Sequence, residues 1–315
     1  MRIGLVVDAG CDLPEAILAD ESVVVLPIAV RIGDYLTEDS RNDEVTRQFL
    51  DSDIAKDAAE AETIPYTVEQ IRELFLGRLV HEFDYVFCQT VSASRSPIYE
   101  RAVQASFGIL NDYHAIREAG GNKTPFALRV QNTGNLFAAQ ALPAWDTLRQ
   151  RRLGESPMKI RTRLERVVNA NHGLVVTPDL YYMRNRGRKK GDRSISMMSA
   201  MLGTALDVKP VVHSHRGETT PVAKVRGFEQ AAQKVFDTLA LNVRAGGLMV
   251  PAVTLSYGGE LDEMHAMPGY DALAATCRDH DVELVESMMG LIGIINIGKG
   301  ALTAAYCKEG PLNLA

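Results

Sequence analysis

Three stretches of this sequence carry side chains suited to binding or reacting with a small molecule. The first is the loop Ser92-Ala-Ser94-Arg95-Ser96, which follows the strand-like segment from Asp84 to Val91. Ligands of open α/β sheets bind beyond the carboxyl ends of the strands. Hydroxyls placed there, just before a helix N-terminus, suit an anion or a carboxylate. The competing reading is that Ser96 caps its helix and the rest is solvated loop. A hydrolase nucleophile would call for a Gly-x-Ser-x-Gly elbow, and none is present. The second stretch, Glu62-Thr63-Ile64-Pro65-Tyr66, reads as a turn before a helix, with Thr63 offering a hydroxyl on a proline-stiffened loop. A plain turn, with the proline presetting the backbone, is its ordinary explanation. The third, Arg184 to Arg193, holds six basic residues in ten and could bind a phosphate or another anion. A solvated charged loop is its ordinary explanation. No aromatic platform accompanies it on which bases could stack, so nucleic acid is not expected.

Two further motifs read as decoys. His213-Ser-His215 puts two imidazoles on one face of a strand. Only Glu218 lies nearby as a third ligand, so a plain hairpin is expected and no metal site. Gly293 to Gly300 nearly spells a phosphate-binding loop, but Gly300 stands where Ser or Thr should hold magnesium.

These residues need a scaffold, and the hydrophobic pattern supplies one. Ile3 to Val7, ending in Asp8, reads as a strand buried on both faces, as in a parallel sheet. Asp12-Leu13-Pro14-Glu15 has the order of a helix start, with Asp12 as N-cap. Strands are expected at Val23 to Val30, Asp84 to Val91 and Phe126 to Val130, and helices at Val68 to Phe83, Ser96 to Leu110 and Leu136 to Leu153. Such alternation implies βαβ units. The polar stretch Arg151 to Pro157 reads as a linker, dividing the chain into residues 1–153 and 154–315. The second half reads as α+β. A helix from Met158 to Asn169 opens it, and a hairpin follows at Val208 to Ser214 and Thr220 to Val225. Next come a helix at Phe228 to Arg244, a strand at Gly246 to Tyr257, a helix at Tyr270 to His280 and a strand at Val282 to Val285. Strands at Leu291 to Ile297 and Leu302 to Cys307 close the chain.

Composition narrows the function classes. The chain has 315 residues, 46% hydrophobic and 23% charged, enough to bury a large core without disulfides or a structural metal. A net charge of −6 argues against non-specific nucleic-acid binding. The four cysteines show no metal-ligand spacing and read as small buried hydrophobes of a reducing compartment. Ile3 to Val7 is too short for a signal peptide, and Met288 to Ile297 is too short to span a bilayer, so a cytoplasmic protein is expected.

The order of these segments resembles the DegV family. VVDAGCDLP looks like its first-strand motif, and VVVLPIAVRIGDY its second strand. ETIPY falls where the family has a Thr-Ser-Gln-Pro-Ser loop, and TVSASRSPIY where it has a paired-serine segment. DLYYMRNRGRKK resembles a stretch ending in Gly-Gly-Arg. MLGTALDVKPVVHSHRGETTPVAKVRG resembles the most specific block, through Leu202-Gly203, Lys209-Pro210 and Val225-Arg226-Gly227. NIGKGALTAAY aligns with a close containing His-x-Gly-Pro-Gly. The resemblance spans nearly the whole chain.

It implies an α/β fold of two domains. The N-terminal domain is α/β/α with a mainly parallel sheet, and the C-terminal domain is α+β with a mostly antiparallel sheet. A long-chain fatty acid lies enclosed between them. It also implies a binding protein that is not itself an enzyme and needs no cofactor, presenting the carboxylate to a separate fatty-acid kinase that forms the acyl phosphate. Carried over by position, Thr63 and Ser92 hydrogen-bond the carboxylate, Ser94 lies in the same loop, and Arg188 balances charge. Asn296 stands at the place of the family's ligand-contacting histidine; it can donate a hydrogen bond but carries no titratable charge. Other departures are Ile64 for glutamine, Ala93 for the second serine, Arg95 for leucine and Lys299 for proline. With Asn296 they leave two alternatives open: a DegV-like protein adapted to a different anionic ligand, or a hydrolase or phosphotransferase using the serine loop.

Overall fold

The computed structural model describes residues 1–52, 54, 58, 60–182 and 207–315. Arg188 and the basic run around it lie outside the described residues. Thirteen strands are described: β1 (Ile3–Asp8), β2 (Val23–Leu26), β3 (Ile28–Ile32), β4 (Tyr35–Asp39), β5 (Glu62–Pro65), β6 (Tyr85–Thr90), β7 (Ala127–Asn132), β8 (Asn171–Val176), β9 (Val208–His215), β10 (Glu218–Arg226), β11 (Ala252–Tyr257), β12 (Glu283–Met288) and β13 (Leu302–Cys307).

They form three sheets. The first is parallel, in the order β2-β1-β6-β7. All six residues of β1 are buried, as its unbroken apolar run requires when helices cover both faces. The second has the order β10-β9-β8-β13-β11-β12 and is antiparallel except for the β11–β12 pair. Its central strands β8, β13 and β11 are buried throughout. Pro221 lies on the edge strand β10, and the register of its pairing with β9 shifts between Pro221 and Ala223. Both expected sheet types are present.

The third sheet, β4-β3-β5, was not legible in the pattern. The expected single strand Val23 to Val30 is in fact two strands in two sheets, because Pro27 between them has no N–H to continue a ladder. The expected turn at Glu62 to Tyr66 is largely β5, which pairs antiparallel with β3 through Thr63 and Val30.

Helix Ala138–Arg152 lies between the first two sheets. Twelve of its fifteen residues are buried. Leu142, Trp145 and Leu148 share one apolar cluster with Leu5 and Phe87 of the parallel sheet and with Ala252 and Ala305 of the six-stranded one. Its first turn is fastened to the second sheet, where Thr254 Oγ1 donates to the Ala138 carbonyl at 2.7 Å. Helices Phe228–Arg244 and Tyr270–Asp279 cover the other face of that sheet. All four cysteines are buried and free. Among the described residues no helix is long and apolar enough to cross a membrane.

One further expectation fails. Leu291–Ile297 is a helix, not a strand. Its isoleucines favour strands, but six of its seven residues are buried, so the segment is apolar all round. What stabilises it as a helix is described next.

Candidate functional site

The expected site residues come from three separate elements. Ser92 and Ser94 follow β6 directly, and Ser92 is only 2% exposed. The Ser92 N–H donates to the Asn135 carbonyl at 2.9 Å, while the Ala93 N–H donates to Asn132 Oδ1 at 3.2 Å. Asp8, at the end of β1, fixes the start of the loop: its Oδ2 accepts the Val91 N–H at 2.6 Å and its Oδ1 the Gly10 N–H at 2.9 Å. Burial pushes the Asp8 carboxyl up to about 6, against the pull of those hydrogen bonds and of Gln140.

The two serines form a short hydroxyl chain across the halves of the molecule. Ser94 Oγ donates to the Gly217 carbonyl at 2.8 Å. Its single proton is thereby used, so the 2.9 Å contact between the two hydroxyls has Ser92 as donor. Gly217 sits in the tight turn joining β9 to β10, and its own N–H donates to the Gly134 carbonyl at 2.7 Å. Arg95 reaches the same hairpin, donating to Thr219 Oγ1 at 2.7 Å. An incoming carboxylate would therefore take over an O–H donor that now serves a protein acceptor.

Thr63 lies on β5, part-buried, and its hydroxyl bonds neither serine nor Asn296. Its strand is nevertheless tied to the helix that follows the serine loop. Arg101, on helix Ile98–Gly108, donates to the Pro65 and Tyr66 carbonyls at 2.7 and 3.0 Å. Asn296 is part-buried on Leu291–Ile297, and its Nδ2 donates back to the Ile292 carbonyl of its own helix at 2.6 Å. The structure thus joins Ser92 to Ser94 and leaves Thr63 and Asn296 on other elements.

What these elements share is apolar surface. A single cluster unites Val30, Ala61, Val91, Ile98 and Phe137 from the first half with Val175 of β8, Val212 of β9 and Leu291, Ile294, Ile295 and Ile297 of the late helix. Thr63 pairs with Val30, Ser92 follows Val91, and Asn296 stands between Ile295 and Ile297. Thr63, Ser92 and Asn296 are thus neighbours, by pairing or in sequence, of members of this one cluster.

A buried charge network locks the seam, and sequence reasoning missed it. Asp12 is not a helix cap; the cap residue of Glu15–Leu18 is Pro14. Instead the Asp12 carboxylate meets Arg41 Nη1 at 2.9 Å. It also accepts from Ser256 Oγ at 2.5 Å and from the Gly290 N–H at 3.2 Å. Asp39 accepts the Ile292 N–H at 2.9 Å, so two carboxylates from the first half serve the amino end of the late helix. That is the physical reason an isoleucine-rich segment is helical here. Burial pushes the Asp12 carboxyl up to about 6, opposed by Arg41, Ser256 and Gly290. Gly290 is required, since a Cβ there would lie 2.0 Å from Arg41 Nη1.

Comparison with known proteins agrees with this architecture. A family model described as "Uncharacterised protein, DegV family" matches residues 2–309. A DegV domain-containing protein of Xanthomonas axonopodis pv. citri is 51% identical over 309 residues, covering 98% of each chain. Among solved structures, a stearic acid-binding protein from Eubacterium ventriosum is similar at a TM-score of 0.75 with 19% identity, over 97% of this chain and 98% of that one. DegV of Bacillus subtilis, described as a fatty acid binding protein, is similar at a TM-score of 0.74 with 17% identity, over 98% of this chain and all of that one.

Proposed function

This chain belongs to the DegV family, and from that premise we propose that it binds a long-chain fatty acid in the seam between its two halves. The observation that carries the reading is the apolar cluster drawn from both halves, with the Ser92–Ser94 hydroxyl chain at its border. The energetics suit the task. A sixteen-carbon chain has ~14 methylenes, so burial at ~0.8 kcal/mol each gives roughly 11 kcal/mol before entropy losses. Affinity then comes from hydrocarbon, and a few polar groups only fix the head group.

The carboxylate sits at Ser92, which turns its proton from Ser94 toward the ligand. Thr63 and Asn296 line the same seam, and Arg188 supplies positive charge. The protein acts as a cytoplasmic binding subunit in lipid metabolism. It presents the carboxylate to a separate fatty-acid kinase, which forms the acyl phosphate. A binding role without catalysis is supported by the serine loop itself. Both hydroxyls bond to oxygen acceptors of the protein, Ser94 and the Gly217 carbonyl, rather than to a histidine or carboxylate base.

Titration calorimetry of delipidated protein with palmitate and with hexadecanol separates the two contributions. Palmitate is expected to bind at least tenfold more tightly than the alcohol. Equal affinity would remove the head-group assignment, and no binding of either would remove the acyl reading altogether.

A further inference from the structure

Three imidazoles meet on the face of the six-stranded sheet that the long helices cover. His213 and His215 lie on β9, and His172 on the neighbouring β8. Leu174 is opposite His213 and Gly173 opposite Ser214, so His172 falls beside His215 and all three rings share one face. One nitrogen from each ring lies within 4.8 Å of the others. We propose that His172, His213 and His215 form a binding site for a divalent transition-metal ion of the zinc class, distinct from the acyl seam and independent of that reading.

The tautomers favour this. His172 Nε2 contacts the Lys308 carbonyl at 3.2 Å, and His215 Nδ1 contacts the Asn171 carbonyl at 2.9 Å. A carbonyl only accepts, so both of those nitrogens carry the proton. His172 Nδ1 and His215 Nε2 are left as bare lone pairs. His172 Nδ1 lies 3.0 Å from His213 Nε2, which must donate the proton between them in the absence of a cation. To ligate an ion there, His213 shifts its proton from Nε2 to Nδ1, which frees the Nε2 lone pair and leaves the ring neutral. The other ring N–H groups of His172 and His215 already hold backbone carbonyls, which is how ligating histidines are oriented in metal sites.

The surroundings keep the rings ordered. His172 is 2% exposed, whereas His213 and His215 are part-buried, which leaves a route for an ion from one side. Tyr306 of β13 stacks on His172 with ring centroids 5.1 Å apart. Nitrogens bound at about 2.0–2.1 Å to a tetrahedral ion stand roughly 3.3 Å apart. The His172–His213 nitrogens stand 3.0 Å apart, a little closer than that, and all three ligand nitrogens lie within 4.8 Å of one another. Three imidazoles with an open fourth position suit zinc, nickel or copper rather than magnesium or calcium.

The test uses the full-length chain without a histidine tag, stripped with chelator and dialysed against micromolar zinc, with bound metal measured by elemental analysis. One zinc ion per chain is expected, with cobalt substitution giving the intense visible bands of a tetrahedral site. His213→Asn and His215→Asn, at part-exposed positions that should fold, are each expected to weaken uptake by at least roughly tenfold. Sub-stoichiometric zinc in the wild-type chain, or unchanged uptake in both folded variants, overturns the proposal.

Discussion

Arg41 Nη1 lies 2.9 Å from Asp12 Oδ1, and both side chains are only 1% exposed. The pair joins the turn after β4 to the loop after β1, and through Asp12 to Ser256 and Gly290 of the second half. The same guanidinium donates to the Met288 carbonyl at 2.9 Å, so one cation faces both halves of the molecule. Removing one member of a buried pair leaves the other charged and desolvated. Arg41→Gln is therefore expected to cost about 3–5 kcal/mol, read from urea unfolding monitored by circular dichroism. A loss below about 1 kcal/mol would show that the pair does not hold the halves together.

Gly290 leaves no room for a side chain beside that pair. Gly290→Ala would drive a methyl group onto Arg41 Nη1 and Asp39 Oδ2, which lie 2.0 and 2.9 Å from an ideal Cβ. The backbone there has φ −69°, so the penalty is steric and not conformational. Overpacking of this kind costs about 1–3 kcal/mol. In the Arg41→Gln background the same substitution should cost less, because its obstacle has been shortened. Strict additivity of the two changes would contradict that coupling.

Asp8 gives a pH signature. Folding raises its carboxyl from 3.8 to about 6, chiefly through burial, so the folded state takes up a proton between those values. The corresponding stability is fully present below about 4 and is lost as pH rises through about 6. Asp8→Asn removes this titration. The stability difference between wild type and Asp8→Asn should therefore shift in favour of wild type as pH is lowered from 7 to 4, by an amount on the order of 1–3 kcal/mol. A difference that stays flat across that range contradicts the raised carboxyl.

The hydroxyl chain makes a prediction that separates folding from binding. Ser94→Ala loses the bond to Gly217 and should lower stability by about 1 kcal/mol. Ser92→Ala removes the donor assigned to the carboxylate. A hydrogen bond to a charged group contributes about 1.5–3 kcal/mol, so palmitate affinity should fall at least tenfold in Ser92→Ala, as measured by calorimetry. Affinity for hexadecanol should change much less.

Local signals made much of this architecture readable. β1 carries a continuous apolar run, β6 a strand-like segment, the hairpin at β9 and β10 brackets Arg216-Gly217, and helix Phe228–Arg244 follows its periodicity from end to end. The two sheet types follow from those patterns. The third sheet did not, since only the missing N–H of Pro27 marks where the chain leaves one sheet for another. The segment Leu291–Ile297 has strand-forming residues, and its helical state depends on Asp12 and Asp39, more than 250 positions earlier. Likewise Asp39 and Arg41 stand in a polar stretch that reads as solvated, and nothing nearby in sequence reveals that they are buried. Ser92 and Ser94 stand out in the sequence because strand ends in α/β sheets are where ligands bind. The third imidazole was missed because His172 is 41 residues from His213, on a strand that only the sheet register places beside it.

The most direct test of the acyl reading is native mass spectrometry of the purified, untreated chain. The expected spectrum contains the 315-residue protein carrying one long-chain fatty acid, released on denaturation and identifiable as a carboxylic acid. A protein that arrives empty and then takes up neither palmitate nor oleate would contradict the account.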